Sequence, residues 1–120
     1  MAFDKTYPCP PGNKMWSIYD VPLASVVYTV FAPVAGGTPT GGIYVDNAKF
    51  GLVNVEMAWC LGSQDGTYTA VPYVIPFSIG GSAGTAQVVL SLYTATTMAQ
   101  VASSTLPSTA GYIRIMALGN

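Results

Sequence analysis

The sequence predicts an all-β fold, either a jelly-roll-like β-sandwich or a small barrel, and two observations support this. Short runs rich in β-branched and aromatic residues recur along the chain, separated by clusters of Gly, Pro, Ser, Thr and Asn. No stretch has a convincing helical pattern, although residues 96–104 are compatible with a short helix. About seven short strands at regular spacing are typical of sandwiches and small barrels.

The predicted strands are residues 15–19, 25–34, 42–45, 52–61, 67–79, 86–94 and 111–118. A chain of 120 residues suits a single domain with one core. We expect residues 14–120 to form this sandwich domain and residues 1–13 to form an extended N-terminal arm outside it.

The arm is predicted from its prolines. Pro8, Pro10 and Pro11 favour an extended, polyproline-like conformation. Phe3 and Tyr7 precede them, and two aromatic side chains suit an arm that lies in a groove on a neighbouring chain.

The strongest local signal is a predicted antiparallel hairpin between residues 52–61 and 67–79. An Asp-Gly dipeptide at residues 65–66 joins them, and tight type I′ turns favour this pair because both central residues need a positive φ. In the resulting register the N–H positions of Pro72 and Pro76 point away from the partner strand. The second strand is therefore predicted to lie at a sheet edge.

The same register sorts the side chains of the hairpin onto two faces. The predicted core face carries Val53, Val55, Met57, Trp59, Pro72, Val74 and Pro76. The second face carries Val71, Tyr73, Ile75 and Phe77. Either a second layer of the same domain covers this second face, or it is a contact patch for another subunit.

Charged residues are scarce. They make up 8% of the chain, four basic and five acidic, and residues 66–113 contain none. Ordinary soluble proteins carry about 25%, so we interpret much of the surface as being covered by other protein. Four basic residues at a sequence pI near 4.8 cannot form the basic stripe that binds nucleic acid.

No membrane segment or secretion signal is expected. The longest apolar run, residues 21–35, contains two prolines and is shorter than the roughly 20 residues of a spanning helix. Asp4 and Lys5 stand where a signal peptide has its apolar region. We therefore expect no disulfide between Cys9 and Cys60, and we interpret Cys60 as a small buried apolar residue.

The sequence does not predict an enzyme, a metal site or a cofactor. It contains no histidine, which removes the usual general base and the commonest metal ligand. The acidic residues are dispersed singly, at Asp4, Asp20, Asp46, Glu56 and Asp65. The glycine clusters lack the lysine of a phosphate-binding loop.

Arg114 is the only arginine, and it lies in an apolar predicted strand. It is either a surface residue lying over apolar neighbours or one half of an ion pair across a subunit contact. The residues predicted to form a protein interface are Phe3, Tyr7, Pro8, Val71, Tyr73, Ile75, Phe77 and Arg114.

A short, charge-poor all-β chain rich in Ser, Thr, Gly and Ala, with a proline-containing arm, resembles the small jelly-roll cement or decoration proteins of tailed bacteriophage capsids. The resemblance implies a structural virion protein, made in the host cytoplasm and located on the capsid exterior. Its implied partners are the major capsid protein and copies of itself, as dimers or trimers. Its implied role is to stabilise the head against the pressure of internal DNA.

Two other functions remain open at this point. The chain is compatible with a receptor- or glycan-binding module, such as a fibre or adhesin tip, in which Tyr73 or Trp16 stacks on sugar rings. It is also compatible with a shell-forming coat protein, but its small size and the absence of a basic arm argue against this.

Overall fold

The computed structural model describes residues 6–9, 14–35, 37, 39–75 and 86–120. In this part of the chain the only helical element is a short 3-10 turn, η1, at Asn47–Phe50. The strands are β1 (Thr6–Cys9), β2 (Lys14–Pro22), β3 (Val27–Tyr28), β4 (Ile43–Val45), β5 (Val55–Ser63), β6 (Tyr68–Val74), β7 (Val88–Thr94), β8 (Ser104–Thr105) and β9 (Tyr112–Gly119). The predicted all-β class is confirmed.

The strands form three antiparallel sheets. A four-stranded sheet has the order β1-β2-β9-β5, a three-stranded sheet has the order β4-β7-β6, and β3 pairs with β8. The sheets are open, which favours the sandwich over the small barrel.

The core lies between the two larger sheets. Alternate residues of β7 and β9 meet there, and the following six are all fully buried or nearly so: Val88, Leu90, Leu92, Ile113, Ile115 and Ala117. Strand β7 is also buried on its other side, at Val89 and Ser91. A central strand that is covered on both sides has a continuous apolar sequence, and the sequence VVLSL of β7 is an example.

Two sequence-based assignments of secondary structure were wrong. Only Val27–Tyr28 of the predicted strand 25–34 forms a strand, followed by an isolated bridge between Ala32 and Thr40. Residues 96–104 form no helix; Gln100 instead bridges Tyr93 of β7. The Gln100 side chain explains this path, because its Oε1 accepts hydrogen bonds from Tyr28 Oη (2.9 Å) and from the Phe31 N–H (2.7 Å).

The chain does reverse at residues 65–66, but the predicted hairpin is wrong. The Thr67 N–H donates to Asp65 Oδ1 at 3.0 Å, and Gly66 has φ +76°. Beyond this turn the two strands join different sheets, since β5 pairs with β9 and β6 pairs with β7. The turn therefore connects the two layers at one side of the sandwich, where Cys60 Sγ lies 4.0 Å from Thr69 Oγ1.

The predicted core face of this segment was also partly wrong. A register shift between Val55 and Met57 marks a bulge at the start of β5. Such an extra residue reverses the side to which the following side chains point, here as far as a second register shift between Cys60 and Gly62. Val55, Ala58 and Cys60 consequently pack against the core, whereas Met57 is 49% exposed. Val53, just before the strand, is 74% exposed.

Strand β6 is an edge strand, as predicted, although its partner is β7 instead of β5. The Ile75 N–H donates to the Gln87 carbonyl at 2.7 Å, and the Ala95 N–H donates to the Thr67 carbonyl at 3.0 Å. Odd-numbered residues of β6 therefore bond to β7. Pro72, an even-numbered residue, has its missing donor on the unpaired side, where a proline is tolerated. Pro76 lies outside the described residues.

Part of the predicted arm belongs to the sandwich. Thr6–Cys9 forms β1, which pairs with β2 so that Tyr7 lies opposite Trp16 and Pro8 opposite Met15. An edge strand accommodates a proline more easily than a central strand does, because only one of its sides needs donors. Residues 1–5 and 10–13 lie outside the described residues.

Candidate protein-interaction surfaces

The outer side of the four-stranded sheet is largely apolar. Core residues alternate with outward residues along β2 and β9, and the bulge brings β5 into the same alternation. We call the resulting surface the tryptophan face, and its members are Trp16, Ile18, Met57, Trp59, Leu61, Met116 and Leu118.

The two tryptophans of this face lie on either side of β9. Trp16 is opposite Leu118, Trp59 is opposite Met116, and the two indole rings stack with centroids 5.3 Å apart at an interplanar angle of 27°. Met57 and Leu61 are each 49% exposed. Seven apolar side chains on the outside of one sheet exceed the scattered apolar residues that soluble surfaces normally carry, and such patches mark contacts with other molecules.

Ion pairs lie at both ends of the tryptophan face. At one end Lys14 Nζ contacts Glu56 Oε2, and both side chains are partly exposed. At the other end Arg114 makes a two-pronged contact with Asp20, Nε to Oδ1 at 2.7 Å and Nη2 to Oδ2 at 3.0 Å. The hydrogen bond from Arg114 holds the pKa of the Asp20 carboxyl below its ordinary value.

Arg114 therefore pairs within its own chain, which differs from an ion pair made only across a subunit contact. Its side chain is 41% exposed and lies beside apolar neighbours on β9. This agrees with the alternative that places it at the surface over apolar residues. Its position at the end of the tryptophan face still puts it within reach of a partner.

A second apolar surface lies on the opposite side of the sandwich. On the outer side of β6, Val71 is 54% exposed and Tyr73 is 38% exposed. The Tyr73 ring contacts Phe31 with centroids 5.7 Å apart. We call Phe31, Val71 and Tyr73 the tyrosine patch. The loop that supplies Phe31 also exposes Val30 and Val34, at 41% and 44%.

The chain itself covers the rest of this side. Gly42 passes so close to β7 that a Cβ there would lie 2.6 Å from Val89 Cγ2, and Val89 and Ser91 are buried. Ile75 is also fully buried, which differs from its expected place on a contact surface. Phe77 lies outside the described residues. Among the predicted contact residues of this side that the structure describes, Val71 and Tyr73 are exposed and Ile75 is covered by the chain itself.

The arm residues predicted as contacts are only partly described. Phe3 lies outside the described residues, and Tyr7 and Pro8 are described as backbone of β1. Strand β1 is the outer edge of the four-stranded sheet, next to β2 and therefore next to the tryptophan face. A partner on that face would lie beside the arm.

The tryptophan face was missed by the sequence reasoning, although a signal for it exists. Lys14 and Asp20 are both even-numbered residues of β2, and Arg114 is an even-numbered residue of β9. Because charged side chains point to solvent and strand side chains alternate, the other even-numbered residues must point outward too. In β2 and β9 these include the apolar residues Trp16, Ile18, Met116 and Leu118.

Within the ranges that the structure describes, no three Cys, Asp or Glu side chains are grouped as metal ligands. Trp16 gives one ring face to Trp59, so it is less available for stacking on a sugar than the sequence suggested.

Across the same described ranges, no helix is both long enough and apolar enough to cross a membrane.

Comparison with protein-family models, with curated proteins and with solved structures finds no match to this chain.

Proposed function

We propose that this protein is a structural virion protein that decorates the outside of a capsid and binds the major capsid protein through the tyrosine patch. The observation that carries the proposal is the exposure of Val71 and Tyr73 on the outer side of the three-stranded sheet, with Phe31 packed beside them. Aromatic and aliphatic anchors of this kind dominate the energy of protein interfaces.

The charge distribution supports a large, mostly uncharged contact. No charged residue lies between Asp65 and Arg114, a segment that includes β6 and β7. A partner can therefore cover the tyrosine patch and its surroundings without desolvating a charge, which is the costly step in burying a surface. The resemblance to capsid decoration proteins names the partner, and the fold supplies a surface that suits it.

A pair of matched variants tests this function. Val71→Asp places a carboxylate in the tyrosine patch, and Val53→Asp places the same carboxylate at another exposed valine, away from the patch. Each protein is mixed with empty capsids from the native source and sedimented. We expect Val71→Asp to weaken co-sedimentation by at least tenfold, since burying an unpaired charge costs about 2 kcal/mol or more. We expect Val53→Asp to bind like the wild type.

Two results would reject the proposal. One is a wild-type protein that fails to sediment with capsids at any concentration. The other is a Val71→Asp variant that binds capsids as well as Val53→Asp does. Thermal unfolding of both variants is measured in parallel, because exposed positions should change stability by only about 0.5 kcal/mol.

A further inference from the structure

We infer that the tryptophan face binds a second copy of this chain and forms a two-fold symmetric dimer. The inference rests on the proposed function for its biological setting, a decoration protein that contacts both the shell and itself. It uses the opposite side of the sandwich from the tyrosine patch, so the two contacts can be tested separately.

The face has the symmetry that a contact between identical copies requires. In such a contact the same patch is used on both sides, so it must be complementary to itself. Strand β9 runs along the middle of the face, with β2 on one side and β5 on the other. A two-fold axis along β9 therefore lays β2 of one copy over β5 of its partner.

This arrangement brings matching residues together. Trp16 on β2 lies over Met57 on β5 of the second copy, Trp59 lies over Ile18, and the same contacts repeat on the other side of the axis. Because each stacked tryptophan pair spans β9, both pairs lie near the axis. The two stacked tryptophan pairs then form one cluster of four rings. Tryptophan is the residue most enriched among dominant interface contacts, which supports this cluster as the centre of the interface.

The charges are complementary in the same arrangement. Lys14 on β2 and Glu56 on β5 occupy the same end of the face on opposite sides of β9, and they carry opposite charges. The axis along β9 places Lys14 of each copy over Glu56 of the other. Arg114 comes near the axis at the far end, but its own Asp20 neutralises it.

This pattern favours a second copy over an unrelated protein. The two ion pairs of the face sum to zero charge, so an acidic or a basic partner gains nothing from it. At the Lys14 end of the face a second copy presents the opposite charge to both side chains, whereas at the far end the two Arg114 side chains approach each other and each is neutralised by its own Asp20. Complementary charges of this kind set the register of a contact more than its strength.

The face is small, which limits the affinity. Three strands about seven residues long cover roughly 330 Å² in projection, given strand spacings of about 4.8 Å and rises of about 3.3 Å per residue. Standard interfaces bury about 800 Å² on each partner. We therefore expect dissociation constants in the micromolar range. On a shell the local concentration of bound copies would be higher, so that even a weak contact would hold many of them as dimers.

The first test is sedimentation velocity of the full chain from about 1 µM to about 300 µM, a range that spans micromolar affinity. We expect the wild type to shift from monomer to dimer. Met57→Glu introduces a carboxylate into the face and should weaken association at least thirtyfold. Met98→Glu makes the same change at another exposed methionine, outside the face, and should associate like the wild type.

The second test exploits the expected register. Lys14→Glu and Glu56→Lys should each weaken association, because each places like charges over one another in the dimer. An equimolar mixture of the two variants should recover it, since every contact then pairs a cation with an anion. This recovery requires that the Lys14–Glu56 end of the face lies in the contact between the copies.

Several results would overturn the inference. They are a wild type that stays monomeric throughout, a Met57→Glu variant that associates as well as Met98→Glu, or a mixture that fails to recover association. Capsid co-sedimentation separates this inference from the proposed function. If Val71→Asp loses capsid binding but dimerises normally, the result tests only the proposed function. If Met57→Glu loses dimerisation, the result tests only the contact through the tryptophan face.

Discussion

At the scale of single residues, Gln87 is a polar side chain that holds several elements together. It is 1% exposed, and its Oε1 accepts hydrogen bonds from Asn47 Nδ2 (2.8 Å) and from the Val55 N–H (2.9 Å). Its Nε2 donates to the Ile75 carbonyl at 2.9 Å. One amide therefore links η1, the start of β5 and the end of β6. A buried polar group is tolerated when it is bonded in this way.

We expect Gln87→Leu to lower the free energy of unfolding by about 3–5 kcal/mol. Leucine fills a similar volume but leaves the buried N–H and carbonyl partners unsatisfied, at about 1–3 kcal/mol for each group. The measurement is urea denaturation followed by tryptophan fluorescence. Gln64→Leu is the control, because Gln64 is exposed and should change stability by only about 0.5 kcal/mol. Equal stabilities of the two variants would contradict this account.

At the scale of elements, the loop at residues 41–42 covers the outer side of β7. Gly42 has φ +80°, and a Cβ there would lie 2.6 Å from Val89 Cγ2 and 3.2 Å from Phe31 Cδ1. Gly66 has a similar φ of +76°, but no heavy atom beyond its adjoining residues lies within 4 Å of the position of its Cβ. The two glycines thus share the left-handed conformation and differ in the space around them.

We expect Gly66→Ala to cost about 1–2 kcal/mol, the price of placing a side chain at positive φ. Gly42→Ala should cost more by at least about 1 kcal/mol, because Val89 or Phe31 must also move out of a packed position. Equilibrium unfolding of both variants gives the difference directly. A Gly42→Ala variant no less stable than Gly66→Ala would show that the loop can lift from β7 without loss.

At the scale of the whole molecule, the arrangement of the four-stranded sheet keeps the two cysteines apart. Cys9 lies in β1 and Cys60 in β5, which are the opposite edges of this sheet. Three strand spacings separate them by about 14 Å. Disulfides need Cα atoms about 4.4–6.8 Å apart. The sandwich therefore holds Cys9 and Cys60 beyond bonding distance.

We expect the native chain to form no Cys9–Cys60 bond when it is incubated with oxidised glutathione, as measured by mass spectrometry of unreduced peptides. The same incubation in denaturing urea should produce the bond, because the unfolded chain brings the two thiols together. Formation of the bond at equal rates in both conditions would mean that β1 leaves the sheet readily.

Much of the fold is predictable from the sequence because it depends on local chemistry. Runs rich in apolar, β-branched and aromatic residues identify β2, β7 and β9 close to their observed bounds. Pro72 predicts correctly that β6 is an edge strand. The scarcity of charge predicts apolar surface. Lys14 and Arg114 are even-numbered residues that point to solvent, and this would have shown that the other even-numbered residues of β2 and β9 form that surface.

Strand pairing, in contrast, was decided by the tertiary structure. The Asp-Gly dipeptide at residues 65–66 specifies that the chain reverses, but a reversal serves equally for a hairpin and for a passage between layers. Val55 instead pairs with Gly119, far along the chain, and one bulged position at Glu56 turns Met57 and Trp59 outward. The period of a strand is two residues, so a single extra residue exchanges its core and solvent faces. Only packing against β9 determines where that residue lies, and the composition of the tryptophan face depends on it.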